Sequence, residues 1–438
     1  RSGVDSDLGG NCFSADLVRA CREGRLAEAD IDRAVSRILR LKFKMGLFDN
    51  PYVKVKKAEK LIGTSGHREV AREVARQSVV LLKNENQLLP LSKEVKRVAV
   101  IGPNADNVYN QLGDYTAPQA PGSVITVLEG IRQKLPGAEV RYVKGCAVRD
   151  TLDTSIGEAC ETAKNSDVVV VVLGGSSARD FETDFLETGA AVANERKVSD
   201  MESGEGFDRI GLSLMGKQVE LLKALYATGR PVVLVMVQGR PLELNWAAEH
   251  IPAILTTWYP GGEGGRAIAD VLFGDYNPAG RLPLSYPRHV GQLPVYYNHK
   301  SAERHDYVEG TAAPLYPFGF GLSYTTFVYE GIDVRVEGDS VRVSVDVKNV
   351  GGRAGDEVVQ LYLRDEQASV VTPFMQLKAF QRVHLTSGES RRVEFVLTEE
   401  HLRVLDTSLN WRVEPGWFTV MIGASSQDIR QRTRFRID

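Results

Sequence analysis

Apolar positions along this chain follow three successive rhythms. Between residues 30 and 41, Ile31, Ala34, Val35, Ile38 and Leu41 recur at helical spacing, with Asp30 placed to cap the start and Gly46 to end the helix. The pattern predicts an amphipathic helix that needs a partner surface, which the rest of residues 1–50 is too short to supply. Residues 1–50 therefore read as the end of a larger upstream domain. The polar run 54–60 reads as a linker, and a second amphipathic helix is expected over about 67–82. Together they make residues 51–95 a linker and helix.

From residue 96 the rhythm changes. β-Branched runs at 97–102, 139–143, 167–173, 231–237 and 253–258 alternate with helical patterns such as 127–135 and 212–226. Continuous apolar strands between helices predict a mostly parallel sheet covered on both faces, an α/β sandwich over residues 96–310. Ligands of such sheets sit beyond the carboxyl ends of the strands, so the loops after Gly102, Leu173, Val237 and Trp258 are the places to search. Beyond the aromatic segment 316–324 the helical period stops. Short alternating strands at 341–347, 357–363, 391–397 and 417–422, separated by turns such as Asn349-Val350-Gly351-Gly352 and Ser387-Gly388-Glu389, predict a β-sandwich over 311–438.

Composition narrows the function classes. With 54 basic and 57 acidic residues dispersed along 438, a formal net charge of −3 leaves no footprint for nucleic acid or an anionic membrane. A neutral partner such as a sugar fits better. The longest apolar stretch, Val168 to Leu173, falls far short of the about 20 residues a membrane span needs. Cys12, Cys21, Cys146 and Cys160 form no metal-type pairs and read as thiols, with a Cys12–Cys21 or Cys146–Cys160 bridge as the alternative in an oxidising compartment. The chain opens on Arg1 with no signal peptide, so its natural start is expected to lie upstream. Localisation cannot be read from it.

One loop stands out. Between the 167–173 strand and the next helical pattern lie roughly three dozen mostly polar residues, where about two to six are usual. Within it Gly204 and Gly206 flank Glu205, which allows a tight turn and a projecting carboxylate suited to proton transfer, beside the plainer reading of a solvated loop acid. Asp200, Glu202 and Asp208 would raise the pKa of Glu205 and Arg209 would lower it. Glycines also end the strands at Gly102 and Gly174, but neither fits a phosphate-binding pattern, and Pro103 removes a backbone donor. The 259–265 segment reads as a turn opening a helix, able to approach a ligand. No histidine spacing suggests a metal, no Ser-His-Asp set can be nominated, and no cofactor is expected.

Eight ordered segments carry a resemblance: 38–49 (ILRLKFKMGLFD), 75–90 (ARQSVVLLKNENQLLP), 98–106 (VAVIGPNAD), 203–209 (SGEGFDR), 258–265 (WYPGGEGG), 277–287 (NPAGRLPLSYP), 316–327 (YPFGFGLSYTTF) and 411–423 (WRVEPGWFTVMIG). On these the chain resembles, over essentially its whole length, the C-terminal part of three-domain family 3 glycoside hydrolases of the β-glucosidase type. The resemblance implies a fibronectin type III-like fold for 311–438 and the end of a (β/α)8-type barrel for 1–50. It implies a retaining exo-β-glycosidase, β-glucosidase ahead of β-xylosidase, with Glu205 as general acid/base. The nucleophile, an aspartate in a Ser-Asp-Trp-like motif of the barrel, has no counterpart here, and Asp5 and Asp7 carry no such motif. The chain alone is expected to be inactive. Arg179, Asp180, Asp208 and Arg209 are expected near the substrate, with Arg179 and Asp180 placed to form a leaving-group subsite. Expected partners are a β-linked oligosaccharide or glycoside, the absent barrel and a second copy in a homodimer, in a periplasmic or secreted setting with a cytoplasmic one left open. The competing reading is a non-catalytic module that binds sugar or a partner subunit.

Overall fold

The computed structural model describes residues 3–8, 13–179, 199–300 and 306–438. The described residues divide into two units, one within residues 1–68, the other of residues 69–179 with 199–438.

The first unit carries α1 (Ala15–Arg22), α2 (Glu28–Lys44) and α3 (Val55–Leu61). Helix α2 contains the expected 30–41 segment but starts two residues earlier, so Asp30 lies in its first turn and pairs with Arg33 rather than capping. Gly46 follows its end with φ +68, the left-handed turn-out that glycine permits. No residue of these three helices is buried, and Val35, Leu39 and Phe43 of α2 stand 41% or more exposed.

Helix α4 (Ser65–Ser78) leads into strand β1 (Val80–Asn84). The helix expected to run to residue 82 therefore stops at 78. The reason is burial on two sides: Val79 and Leu81 pack into one core and Val80 and Leu82 into the other, which only an extended chain inside a sheet can do. The remaining elements are β2 (Arg97–Ile101), α5 (Val127–Lys134), β3 (Glu139–Val143), α6 (Ile156–Lys164), β4 (Val168–Gly174), α7 (Gln218–Tyr226), β5 (Val232–Val237), α8 (Asn245–His250), β6 (Ala253–Trp258) and α9 (Gly264–Leu272). Helix α7 starts six residues later than expected, after Gly216 at φ +61.

The six strands pair in the order β1-β6-β5-β4-β2-β3, parallel except for the antiparallel edge strand β1. In β4, Val169, Val171 and Leu173 face α6, α7 and α8, while Val168, Val170 and Val172 face α5 and α9. Each buried valine contributes about 1.5–3 kcal/mol, so a central strand gains from apolar residues at every position and shows no alternation. The glycines at the strand ends have a packing cause: at Gly174, φ +142, a Cβ would run into the Val237 carbonyl, and Gly102 meets Val172 in the same way. Buried Asp270 ties α4, α5 and α9 through Arg72 (2.8 Å), Arg76 (2.7 Å) and Lys134 (2.5 Å).

A β-sandwich follows. One sheet is β11-β8-β7 and the other β10-β9-β14-β15, from strands β7 (Phe327–Glu337), β8 (Ser340–Asn349), β9 (Gly355–Asp365), β10 (Gln376–Leu385), β11 (Ser390–Leu397), β14 (Gly416–Gly423) and β15 (Ile429–Ile437). Strands β12 (Val404–Leu405) and β13 (Trp411–Arg412) form a separate short pair. Val343, Val345, Leu361, Phe418 and Val420 fill the space between the two sheets. Arg281 and Glu357, both nearly buried, pair at 3.2 Å and join this sandwich to the α/β layer. Among the described residues no helix is long and apolar enough to cross a membrane. Cys146 and Cys160 carry no disulfide, and Cys12 lies outside the described residues.

Candidate active site

The strand order reverses between β2 and β4: the chain leaves β2 for β3 on one side, then returns to place β4 on the other. A crevice opens at such a point, between the loop after β2 (residues 102–126) and the loop after β4. Both loops are long, and both are laced to the sheet by buried polar side chains. Asn104, fully buried, donates from Nδ2 to the Gly175 carbonyl (3.0 Å) and the Val237 carbonyl (3.3 Å) and accepts from Asn110 Nδ2 (2.9 Å). Ser176 Oγ donates to Asn110 Oδ1 at 2.7 Å, and Gln111 Nε2 donates to the Ile125 and Gly261 carbonyls, both at 2.9 Å. All four candidate strand ends are thus cross-linked. Asn104→Ala would strand the Gly175 carbonyl and the Asn110 amide, while the Val237 carbonyl keeps the Gly175 N–H at 3.0 Å, and should lower stability by about 1–3 kcal/mol, read as a reduced denaturation midpoint.

On this base sits Glu205, in a tight turn where the Phe207 N–H donates to the Gly204 carbonyl at 3.1 Å. Gly204 (φ +127) and Gly206 (φ +80) both need the left-handed half of backbone space. The Glu205 side chain is 28% exposed, and its Oε2 accepts from the Tyr115 hydroxyl (2.9 Å) and from Arg179 Nη2. Arg179 then Tyr115, by hydrogen bonding the charged form, hold the Glu205 carboxyl below the usual range, against the opposing push of desolvation and, more weakly, of the Asp114 charge. The Arg179 guanidinium also lies 4.9 Å from the centre of the Tyr115 ring.

Of the residues nominated from sequence, Glu205 and Arg179 come together. Asp180 lies outside the described residues. Asp208 points away, 80% exposed and paired with Arg240 at 3.1 Å. Arg209 runs beneath the turn to pair with Glu202, whose side chain is fully buried. Asp200 accepts the Val148 N–H at 3.1 Å. The charges expected to tune Glu205 from within its own segment are therefore engaged elsewhere. The groups that do face it, Asp114 and Tyr115, come from the loop after β2 and were not singled out in the sequence. Loop length could have found them, because 102–126 exceeds the usual strand-to-helix connection as the Glu205 loop does. Among the described residues no cluster of His, Cys, Asp and Glu offers a metal site.

Residues 79–324 match the glycosyl hydrolase family 3 C-terminal domain, and residues 357–426 match a fibronectin type III-like domain. A β-xylosidase of Formosa agariphila is 42% identical over 91% of this chain, and a periplasmic β-glucosidase of Salmonella typhimurium is 37% identical over 98%. The chain spans only 54% and 59% of those relatives' own lengths. Among solved structures, a β-glucosidase of Listeria innocua in complex with laminaribiose superposes over 100% of this chain and 59% of its own, with a TM-score of 0.85 and 34% identity. A β-glucosidase of Erythrobacter marinus superposes over 96% of this chain and 57% of its own, with a TM-score of 0.84 and 40% identity. The chain belongs to glycoside hydrolase family 3, with that family's C-terminal α/β domain followed by a fibronectin type III-like domain.

Proposed function

We propose that this chain supplies the general acid/base, Glu205, of a retaining exo-β-glycosidase that removes terminal non-reducing β-linked sugars. The carrying observation is the placement of Glu205 at the β2/β4 crevice, on a turn kept free by two glycines and braced by Arg179 and Tyr115. Relatives named β-glucosidase and β-xylosidase support glucosides and xylosides as substrates.

Retention needs a second carboxyl about 5–5.5 Å from the first, to attack the anomeric carbon while Glu205 protonates the leaving oxygen. Glu205 then removes a proton from water as that water releases the sugar. Asp114, the carboxylate beside Glu205, is engaged in holding the turn: its two oxygens accept from Arg179 and from the Glu205 N–H. The nucleophile belongs to a barrel domain whose end residues 1–50 represent; the expected linker and helix of 51–95 gives way at residue 79 to the acid/base domain, whose sheet takes in strand β1, and the sandwich follows over 311–438.

The depressed Glu205 pKa agrees with this division. Alone, the chain holds Glu205 as a carboxylate at neutral pH, the form that serves as base. A nucleophile carboxylate brought close would raise the pKa and let Glu205 serve first as acid. The test is direct: the 438-residue chain incubated with aryl β-glucosides and β-xylosides should release no aglycone. Sustained turnover would show that both carboxylates lie within it.

A further inference from the structure

The Glu205 turn is held from another loop by a single carboxylate. Asp114 Oδ2 accepts the Glu205 backbone N–H at 3.1 Å, and Oδ1 accepts from Arg179 Nε at 2.6 Å and from the Tyr115 N–H at 2.8 Å. The Asp114 and Arg179 side chains are each only 12% exposed. Gly204 is shaped to this contact: a Cβ there would lie 2.9 Å from Asp114 Oδ2 and 2.7 Å from Met201 Cε. Tyr115, with φ +58, adopts a backbone conformation that costs a tyrosine energy, and the Asp114 hydrogen bond to its N–H supports it.

We propose that Asp114 is the positioning residue of the acid/base: it fixes the Glu205 backbone, orients Tyr115, and shares Arg179 so that the guanidinium does not belong to Glu205 alone. The proposal rests on the reading of Glu205 as acid/base. Among the described residues, Arg179, Tyr115 and Asp114 face the Glu205 carboxylate. Partial burial pushes the Asp114 carboxyl up, but hydrogen bonds from Arg179 and from the Glu205 and Tyr115 N–H groups outweigh it and leave the carboxyl below its ordinary range. The contacts that tie Asp114 to the turn thus favour its ionised form. Asp114 is a negative charge set against the positive charge of Arg179.

The two charges give tests of opposite sign. Asp114→Asn removes the negative charge that faces Glu205 and that Arg179 also pairs with, so Glu205 should titrate lower. Arg179→Gln should move it up, and further, because the Arg179 hydrogen bond is the largest influence on the Glu205 carboxyl. The Glu205 carboxyl resonance can be followed by ¹³C NMR in this chain, assigned by its disappearance in Glu205→Gln. In the active enzyme the alkaline limb of kcat/KM should move in the same two directions, and Asp114→Asn should lower kcat more than it raises KM. A Glu205 midpoint unmoved by Asp114→Asn, or displaced in the direction of Arg179→Gln, overturns the proposal. If Asp114→Asn lowers the thermal midpoint enough to obscure its titration, Asp114→Glu retains the charge. Its Glu205 midpoint should then stay near that of the unaltered chain while kcat falls, and an unchanged kcat overturns the positioning role. Failure of the acid/base reading looks different: Glu205→Ala would then slow all leaving groups alike while Asp114→Asn still moved the Glu205 titration.

Discussion

Glu205→Ala in the complete enzyme should lower kcat/KM for glycosides with poor leaving groups by about 10²–10⁴-fold, the usual worth of a positioned proton donor. Aryl glycosides whose phenolate leaves unprotonated should lose far less in the same step. The contrast arises because, among the described residues, the Glu205 carboxylate bonds to Arg179 and Tyr115 and the side chain is no part of the core, so truncation removes a proton and little else. The measurement is log(kcat/KM) against leaving-group pKa for both enzymes. The slope should be markedly steeper in the variant, and parallel lines would remove Glu205 from the acid role.

Arg209→Leu should produce the largest loss of stability, about 3–5 kcal/mol, because it leaves the Glu202 carboxylate buried without its cation. The side chains are 6% and 0% exposed, so water cannot replace the lost partner. The Glu205 turn lies between these two residues, and loosening the pair should also blunt activity. Replacing both, as Glu202→Met with Arg209→Leu, should recover much of the stability, since no buried charge then remains. Denaturant titration of the single and double variants checks this. A single variant within about 1 kcal/mol of the parent would mean that the pair is solvated.

The layer architecture was legible because β4 and β5 are apolar at every position and the later strands alternate, patterns that only a doubly covered sheet and a sandwich produce. Strand β1 was not, because Val79 to Leu82 buries both faces and a short apolar run fits a helical period equally well. Its glycines and its loop singled out Glu205 but left it open between a proton donor and a solvated acid, and the family resemblance is what implied the acid/base role. The electrostatics of Glu205 were not legible: Gly204 and Gly206 turn the chain so that Asp200, Glu202, Asp208 and Arg209 engage other groups, while Asp114 and Tyr115 arrive from about ninety residues away once β2 and β4 lie side by side. That adjacency is a property of strand order, which local pattern does not encode.

The central claim, that Glu205 is the acid/base of a retaining pair, meets its most direct test in the product that azide gives with Glu205→Ala. With the general base gone, the glycosyl-enzyme waits for a nucleophile that needs no deprotonation, and azide fits the space the carboxylate vacated. Azide should accelerate turnover of an activated aryl glycoside and yield the β-glycosyl azide. Formation of the α-glycosyl azide, which marks loss of the nucleophile, or no acceleration by azide at all, would contradict the assignment.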